Sequence, residues 1–342
     1  MPSPDRRGRP EQPAGVLVAE RYRRFAEREA RGRSPLYERF ALGVAGDREL
    51  VHLLERLPPA KQQPNLLFAV VLYLGGRQPD YDAFRAFVLD HADQVVATLM
   101  ARQTQTNEVG RCALLLPLLA RLPGPLALVE VGASAGLCLL PDRYAYDYGG
   151  TIVGDPAAPL RLACQPRGLV PIPTTLPRVV WRRGIDVAPV DLHDPDAVRW
   201  LECCIWPDQP ERLGRLQAAV GIARTDPPEV VRGDLLELVR PVVAQAPADA
   251  TVVVFHTATL VFLAEPGRRR FVELMAELAA VWISVEPPGV IPALAAGLEP
   301  GQAPERAVFL LGQGPQRLVG LADPHGAWLQ WLAHDLPISS YE

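Results

Sequence analysis

The sequence has very little lysine and asparagine, and this shortage shows where its charge comes from. Lys61 is the one lysine among 35 basic residues, Asn65 and Asn107 are the two asparagines, and proline reaches 36. Such a bias towards arginine and proline is typical of a GC-rich genome. It does not indicate nucleic-acid binding, because the net charge is −4 and the isoelectric point is about 5.9, whereas nucleic-acid-binding domains usually carry a basic face.

The sequence also lacks long apolar runs and paired cysteines. The longest uninterrupted apolar run, 66–74, is about half as long as a membrane span, and the charged start of the chain has no apolar stretch behind it, which argues against a secretory signal. Five cysteines without CxxC pairs or histidines at zinc spacing predict reduced thiols and no metal site. We therefore expect a cytoplasmic protein with neither a membrane nor a nucleic-acid partner.

The N-terminal part of the sequence, 16–124, shows the spacing of apolar residues that is typical of helices. Ser34, Asp47 and Asp80 each stand where an N-cap would begin a helix. The apolar residues that follow Asp80 predict one continuous helix over 80–100. The whole stretch predicts an all-helical region of five to seven helices without a strand.

Residues 125–335 change to short apolar runs that alternate with helical stretches. The runs, which predict strands, are LALVEV, RVVWRRGID, EVVRGD, TVVVFH, VWISVE, AVFLLG and RLVGLAD. The helices between them are predicted over Glu211–Arg224, Leu235–Val243 and Arg268–Ala280. This alternation predicts an α/β fold with a Rossmann-like, doubly wound, mostly parallel sheet, and the linker GQGPQ predicts an antiparallel hairpin at its C-terminal edge. Two insertions on the rim, 144–177 and 191–210, and a disordered tail, 1–15, complete the expected organisation.

The sequence EVGASAGL, which follows the first predicted strand, is the strongest local motif. Gly132 would permit a tight turn, and Gly136 would let a ligand approach the backbone at the start of a helix, whose free N–H groups could bind a polar cofactor group. With Glu130 in front, the motif resembles the first motif of S-adenosylmethionine-dependent methyltransferases, E/DxGxGxG, although Ser134 replaces the central glycine. The resemblance implies that Glu130, Gly132, Ser134 and Gly136 contact the cofactor.

The same residues also match GxSxG, the nucleophile elbow of α/β-hydrolases. In that interpretation Ser134 would attack a carbonyl group, and His256 or His325 would act as the base. A hydrolase elbow follows several strands, however, and the sequence before Leu126 predicts helices alone. The hydrolase is therefore the weaker hypothesis.

Acidic residues follow two further predicted strands. In the methyltransferases that the glycine motif resembles, an acid at the end of the second strand binds both ribose hydroxyls, and Asp186 matches it. Asp186 follows Gly136 by 50 residues, so the rim insertion would have to absorb the excess. Asp147 remains an open alternative. Asp234, after the third strand, would contact the adenine amino group.

Residues after the fourth and fifth predicted strands are candidates for the reaction itself. His256 would be a general base, because imidazole titrates near neutral pH, or else a histidine that is satisfied by the backbone at a strand end. Glu286 is expected to bind the substrate or to act as a structural ligand, and not as a base. Both follow apolar runs, TVVVFH and VWISVE, that predict buried strands.

The polar cluster QTNEVGR contains one of the two asparagines and precedes an apolar helix. We expect it to form a lid in which Gln105, Asn107, Glu108 and Arg111 contact the cofactor or the acceptor. Two structural alternatives remain open: capping of the helix by Thr106 or Asn107, and an ion pair of Arg111 with a nearby glutamate.

Seven motifs together resemble an uncharacterised family of bacterial proteins that is common in organisms with GC-rich genomes. They are QTNEVGR (105–111), GASAGL (132–137), RGIDxxPVD (183–191), IWPDQ (205–209), GDL (233–235), VFH (254–256) and PHG (324–326). The resemblance covers roughly 22–332 and implies a methyltransferase-like, Rossmann-like fold. The leading hypothesis is an S-adenosylmethionine-dependent methyltransferase that acts on a small molecule. A non-catalytic protein that binds a nucleotide-like ligand or a partner is the alternative, and the methyl acceptor and oligomeric state stay open.

Overall fold

A computed structural model describes residues 14–298 and 308–332 of the chain. Most of the expected N-terminal tail, 1–13, and His334 lie outside these residues. The described residues form two compact units: 14–105 with 203–209 is the helical unit, and the remainder, from Thr106 on, is the α/β unit. Residues 106–124, which the sequence groups with the N-terminal helices, belong to the α/β unit.

The sequence correctly predicts three of the N-caps in the helical unit. The helices are α1 (Ala14–Phe25), α2 (Pro35–Gly46), α3 (Arg48–Glu55), α4 (Pro64–Tyr73), α5 (Tyr81–Asp90) and α6 (Ala92–Ala101). The side chains of Ser34, Asp47 and Asp80 accept backbone N–H bonds at the starts of α2, α3 and α5. The single helix expected over 80–100 is wrong, because His91 interrupts it with φ −116° and its Nδ1 lies 2.9 Å from the carbonyl oxygen of Phe87.

An aromatic cluster forms the core of the helical unit. Phe68 packs among Tyr22, Phe25 and Tyr37, with ring centroids 4.5–6.2 Å apart. Segment 203–209 adds Trp206, whose ring centroid lies 5.4 Å from that of Tyr37. The indole Nε1 of Trp206 donates to Asn65 Oδ1 at 3.0 Å. One of the two asparagines therefore holds this segment in the core of its unit.

The elements of the α/β unit follow the predicted alternation. Its helices are α7 (Cys112–Leu119), α8 (Pro195–Cys203), α9 (Pro210–Thr225), α10 (Leu235–Val243), α11 (Glu265–Ala276) and α12 (Pro292–Ala295). Its strands are β1 (Leu126–Val131), β2 (Ala145–Tyr148), β3 (Thr151–Val153), β4 (Arg161–Ala163), β5 (Gln165–Arg167), β6 (Val179–Asp186), β7 (Val230–Arg232), β8 (Thr251–Thr257), β9 (Val281–Glu286), β10 (Phe309–Gln313), β11 (Arg317–Ala322) and β12 (Trp328–Trp331). None of the helices in the described part of the chain is long and apolar enough to cross a membrane.

The large sheet of the described residues has nine strands in the order β5-β12-β11-β10-β9-β8-β1-β6-β7. Strands β7, β6, β1, β8 and β9 are parallel neighbours, and β10, β11 and β12 continue antiparallel. The expected α/β class with a mostly parallel sheet is confirmed. The edge is more complex than the expected hairpin of β10 and β11, because the short strands β12 and β5, too brief to show a period in sequence, extend it.

The order of the parallel strands reverses between β1 and β8, which defines a topological switch point. Chain connections leave β1 towards β6 on one side and reach β8 and β9 on the other. In open α/β sheets, ligands bind in the crevice at the carboxyl ends of the strands beside such a point. The residues that follow β1, β6, β8 and β9 therefore define the candidate site.

The connection between β1 and β6 does not contain the helix expected after Gly136. Two short 3₁₀ turns, Leu137–Leu139 and Pro141–Arg143, replace it, and a small sheet of order β3-β2-β4 follows in the rim insertion. Pro141 explains the difference, because a proline disfavours the helical conformation of the residue before it. The α-helix that was expected to begin after Gly136 is therefore not present in this connection.

Candidate functional site

Backbone strain marks both sides of the switch point. Ser134, after β1, has φ 51° and Ala258, after β8, has φ 56°, and they are the non-glycine residues with positive φ within the described ranges. Side chains rarely adopt this conformation, which costs about 1–3 kcal/mol and tends to occur at functional sites. Two neighbouring strand ends therefore carry strained loops at the place where the topology predicts a ligand.

The carboxylate of Asp186 holds the loop after β1. Asp186 ends β6, the parallel neighbour of β1. Its Oδ2 accepts the N–H of Ser134 at 2.8 Å, and its Oδ1 accepts the N–H of Ala188 at 2.8 Å. The side chain is half-buried, and each carboxylate oxygen can accept a further hydrogen bond. Asp147, by contrast, lies in β2 and accepts the N–H of Gly150 at 2.7 Å in the β2–β3 turn.

The two glycines of the loop leave space that other side chains of the protein occupy. Gly132 and Gly136 have φ 73° and 69°, which favours glycine at both positions. The space that a Cβ would need is filled by the side chain of Thr259 at Gly132 and by that of Pro228 at Gly136. The sequence predicts that a ligand approaches the backbone at these glycines. In the structure the side chains of Thr259 and Pro228 do so instead.

Asn107 is fixed to the loop through both atoms of its side-chain amide. Its Nδ2 donates to Ser134 Oγ at 3.0 Å, and its Oδ1 accepts the N–H of Ala135 at 3.1 Å. Asp186 and Asn107 thus take up the N–H groups of Ser134 and Ala135 that a cofactor was expected to use. The amide is therefore a bound part of the loop after β1.

Glu108 is buried in a cluster of charged side chains. Its Oε1 accepts the N–H of Gly110, and its Oε2 accepts Nε of Arg212 at 2.7 Å. Arg215 donates to Oε1 at 3.2 Å. Burial opposes its ionised form, but the nearby His325 and the charges of the two arginines hold the pKa of Glu108 below its ordinary value. Glu108 is therefore a buried carboxylate with several partners, and this geometry does not favour the predicted lid.

Arg111 joins the polar cluster to the strand ends. Its Nη1 donates to the carbonyl oxygen of Thr257 at 2.9 Å, and its Nε donates to that of Pro324 at 2.8 Å. Burial lowers the pKa of the guanidinium group. The backbones of Gly110 and Gly326 are in direct contact, so that neither position has space for a side chain. The QTNEVGR and PHG motifs are therefore two halves of one buried contact.

His256 lies on the opposite face of the sheet from Glu130, because Glu130 pairs with Phe255 in register and side chains alternate along a strand. Its Nδ1 lies 2.7 Å from Glu286 Oε1, and its Nε2 accepts the indole N–H of Trp282 at 3.0 Å. An indole nitrogen only donates, so Nδ1 carries the proton. Both ring nitrogens are used and the side chain is fully buried. This geometry does not support the predicted general base and favours a positioning role.

Glu286 holds the loop after β8. Its Oε1 accepts the N–H groups of Thr259 and Leu260 at 2.7 and 2.8 Å, besides its contact with His256. Its Oε2 is buried without a hydrogen-bond partner among the described residues. With its side chain 1% exposed, Glu286 supports the strained turn at Ala258, and a direct contact with substrate is not what this geometry favours.

Glu130 is a buried carboxyl group beneath the loop after β1. Its side chain is 3% exposed, and within the described residues its Oε2 has no hydrogen-bond partner. Burial raises the pKa of Glu130 well above its ordinary value, the nearby Cys138 and Asp186 raise it further, and Arg111 opposes them. The group therefore favours its protonated form, which offers an O–H donor at the switch point.

The remaining predicted residues make other contacts. Asp234 is exposed and accepts the N–H of Leu236 at 2.7 Å, so it caps α10. Gln105 belongs to the helical unit, where its backbone contacts Cys204. No group of three metal-binding side chains occurs among the residues that the structure covers.

Sequence reasoning missed Arg212 and Arg215 as partners of Glu108. The two arginines lie three positions apart on α9, which places them on one face of the helix, but their partner is 104 and 107 residues away. Helical spacing could have indicated a shared face. It could not have indicated Glu108.

The chain matches one family model over residues 19–331, described as "Uncharacterized protein conserved in bacteria (DUF2332)". No curated protein matches the chain. The matched range covers most of the 342 residues, which agrees with the family resemblance that the seven motifs indicate. The chain belongs to the DUF2332 family of bacterial proteins.

Proposed function

We propose that the α/β unit binds S-adenosylmethionine at the carboxyl ends of β1 and β6 and transfers its methyl group to a small molecule. The observation that carries the proposal is the half-buried carboxylate of Asp186, which is bonded to the strained loop at Ser134 beside the switch point. A carboxylate offers two acceptors at the fixed spacing that a pair of ribose hydroxyls needs. The order β7-β6-β1-β8-β9, which numbers the parallel strands 3-2-1-4-5 along the chain, supports a dinucleotide-type crevice at this point.

The side chains present fit this cofactor better than the backbone of the loop does. Asp186 retains acceptor capacity for the ribose and the exposed Asp234 could accept a hydrogen bond from an amino group, whereas Glu130 is only 3% exposed. The N–H groups of Ser134 and Ala135 already have protein partners. We therefore infer that carboxyl groups hold the cofactor and that the loop supports them without direct backbone contacts.

Bound S-adenosylmethionine supplies an electrophilic methyl group, and the protein has to position the acceptor in line with it. Methyl transfer depends mainly on proximity and orientation, which suits a site whose loops are pinned by Asp186 and Glu286. His256 keeps the β9 side of the site rigid through Trp282 and Glu286. We expect acceptors that need no protein base, because both nitrogens of His256 are engaged.

Isothermal titration with S-adenosylmethionine and its demethylated product tests the proposal. Asp186→Asn should weaken binding at least about tenfold, or 1.4 kcal/mol, because the amide loses one ribose acceptor. Asp147→Asn is the matched control, since it removes the same charge from the small sheet, and should leave binding unchanged. Absence of binding to the wild-type protein, or equal losses in both variants, would contradict the proposal.

A non-catalytic binding protein is the second candidate, and the occupied donors of the loop favour it. If Asn107 and Asp186 permanently close the loop, a ligand would be recognised through its nucleoside part alone. Adenosine would then bind as tightly as S-adenosylmethionine. The methyltransferase proposal expects adenosine to bind at least about tenfold more weakly, because the methionine part adds contacts.

The serine hydrolase requires an imidazole that activates Ser134. The hydroxyl accepts a hydrogen bond from Asn107, while His256 is engaged by Glu286 and Trp282. We expect no labelling by a fluorophosphonate probe. Labelling of the wild-type protein that disappears in Ser134→Ala would favour the hydrolase instead.

A further inference from the structure

Five charged or titratable side chains meet beside the switch point, and we call them the arginine cluster. They are Glu108, Arg111, Arg212, Arg215 and His325. Glu108 accepts Arg212 and Arg215 at 2.7 and 3.2 Å, and its Oε2 lies 3.3 Å from Nδ1 of His325. Arg111 completes the cluster through Pro324, the residue before His325.

Positive charge exceeds negative charge within the arginine cluster. Three guanidinium groups face one carboxylate, Glu108. Burial lowers the pKa of His325 to about 4, so the imidazole is neutral at physiological pH. The neighbouring Asp323 directs its Oδ1 to the N–H groups of its own turn, at His325 and Ala327. Within the five residues of the cluster, three guanidinium groups therefore share one carboxylate, an arrangement that favours a further anion.

One polar atom of the arginine cluster indicates that a further group belongs there. Nε of Arg215 is buried without a hydrogen-bond partner in the described part of the chain, whereas Nδ1 of His325 faces Glu108 Oε2. The side chain of Arg215 is nevertheless 26% exposed and that of His325 is 23% exposed. A small ligand could therefore reach this end of the cluster without a change in the core.

We propose that the arginine cluster binds an oxyanion, a carboxylate or a phosphoryl group of a small molecule. Guanidinium groups suit this role because their planar N–H donors match the geometry of carboxylate and phosphate oxygens. A bound oxyanion would place negative charge beside these guanidinium groups. Glu108 would hold Arg212 and Arg215 in place, and Arg111 would tie the cluster to the strand ends.

The position of the arginine cluster relates this oxyanion to the switch point. Arg111 binds the carbonyl oxygen of Thr257 at the end of β8, and Asn107, next to Glu108, binds the loop after β1. The rest of a bound molecule would thus lie near both strained loops. The oxyanion site does not depend on the cofactor. Only its assignment to the methyl acceptor rests on the proposed function.

Titration of the full-length protein with inorganic phosphate and with succinate, at constant ionic strength and without S-adenosylmethionine, tests the site. We expect saturable binding of at least one probe, and the tighter probe identifies the class of oxyanion. Arg215→Gln should weaken binding at least about tenfold. Arg240→Gln is the matched control, because it removes the same charge from an exposed pair between Arg240 on α10 and Glu277, the residue after α11. It should change the affinity less than twofold.

Arg215→Lys separates charge from geometry, since lysine keeps the charge but loses the planar donors. We expect it to bind more weakly than the wild type and more tightly than Arg215→Gln, with unchanged far-ultraviolet circular dichroism. The proposal is overturned if neither probe binds saturably, or if Arg215→Gln and Arg240→Gln lose affinity equally. Because S-adenosylmethionine is absent, neither result bears on the proposed cofactor site.

Discussion

The loops after β1 and after β8 are built alike and differ in what their acids leave open. Each contains a strained non-glycine residue, Ser134 or Ala258, and each is held by an acid that ends the next strand outward, Asp186 on β6 or Glu286 on β9. One buried oxygen of Glu286 makes three contacts, with the N–H groups of Thr259 and Leu260 and with Nδ1 of His256. Asp186 uses one contact for each oxygen and is half-buried.

This difference separates a supporting loop from a loop that can receive a ligand. A fully buried carboxylate that accepts backbone N–H groups stabilises the fold and offers no surface to a ligand. A half-buried carboxylate with spare acceptor capacity can do both. The same local architecture therefore serves stability on the β8 side and recognition on the β1 side.

The largest expected effect compares the two acids directly. Glu286→Ala should destabilise the protein by about 3–5 kcal/mol, because two N–H groups and His256 lose their buried acceptor. Asp186→Ala should cost only about 1–2 kcal/mol, because water can reach the groups that it leaves. Urea denaturation of both variants measures the difference. Glu286→Gln, which keeps one oxygen, should recover part of the loss, and equal effects of the two alanine variants would break the comparison.

The next effect depends on pH and concerns Glu130 beneath the β1 loop. Its raised pKa means that the folded protein retains a proton that the unfolded chain releases above about pH 4.5. Wild-type stability should therefore fall as pH rises above this value, by at most about 1.4 kcal/mol per pH unit. Glu130→Gln lacks the titrating group, so its melting temperature should rise relative to wild type between pH 5 and pH 8. A constant difference would show that Glu130 is ionised in the fold.

A smaller effect concerns the strain itself. Ala258→Gly should stabilise the protein by up to about 1 kcal/mol, because glycine adopts positive φ without the clash of a Cβ. Ser134→Gly should gain less or lose stability, since it also removes the hydroxyl that binds Asn107. Thermal denaturation of the two variants measures this. An equal gain would mean that the bond between Ser134 and Asn107 contributes nothing to the β1 loop.

The smallest effect concerns Asp234, the third acid at a strand end. Its observed contact is an N-cap on α10, so Asp234→Ala should cost about 1 kcal/mol of stability. If the adenine contact is also present, S-adenosylmethionine should bind the variant more weakly. Titration beside a melting curve distinguishes the two roles. Unchanged affinity would restrict Asp234 to capping and leave Asp186 as the acid that matters on this side.

Much of the fold could be predicted because it depends on local signals. The apolar runs locate β1 and β9 to the residue, and the helix predicted over Leu235–Val243 has those bounds. Short apolar runs and capping side chains act within a few residues of the element that they specify. Where a local signal was overlooked, as at Pro141, the predicted helix was absent.

The candidate site could be predicted only in part, because its side chains find partners far along the chain. The sequence singled out Asn107, Glu108 and Arg111 as a polar cluster, and composition made Asn107 conspicuous. It could not show that Arg212 would neutralise Glu108 across 104 residues. The two nitrogens of His256 are engaged by residues 26 and 30 positions away.

The sequence by itself determined the α/β class, most strand positions, the glycine loop and the family, since each is written in contiguous residues. Even its scarcest residues proved informative, because Asn65 and Asn107 each make a specific side-chain contact within their own unit. Tertiary structure alone decided which groups remain available for chemistry. In the fold, His256 and the N–H groups of the loop have protein partners, Asp186 keeps spare acceptor capacity, and the residues of the arginine cluster come together. Burial and long-range hydrogen bonds control the reactivity of a side chain, and sequence spacing does not encode them.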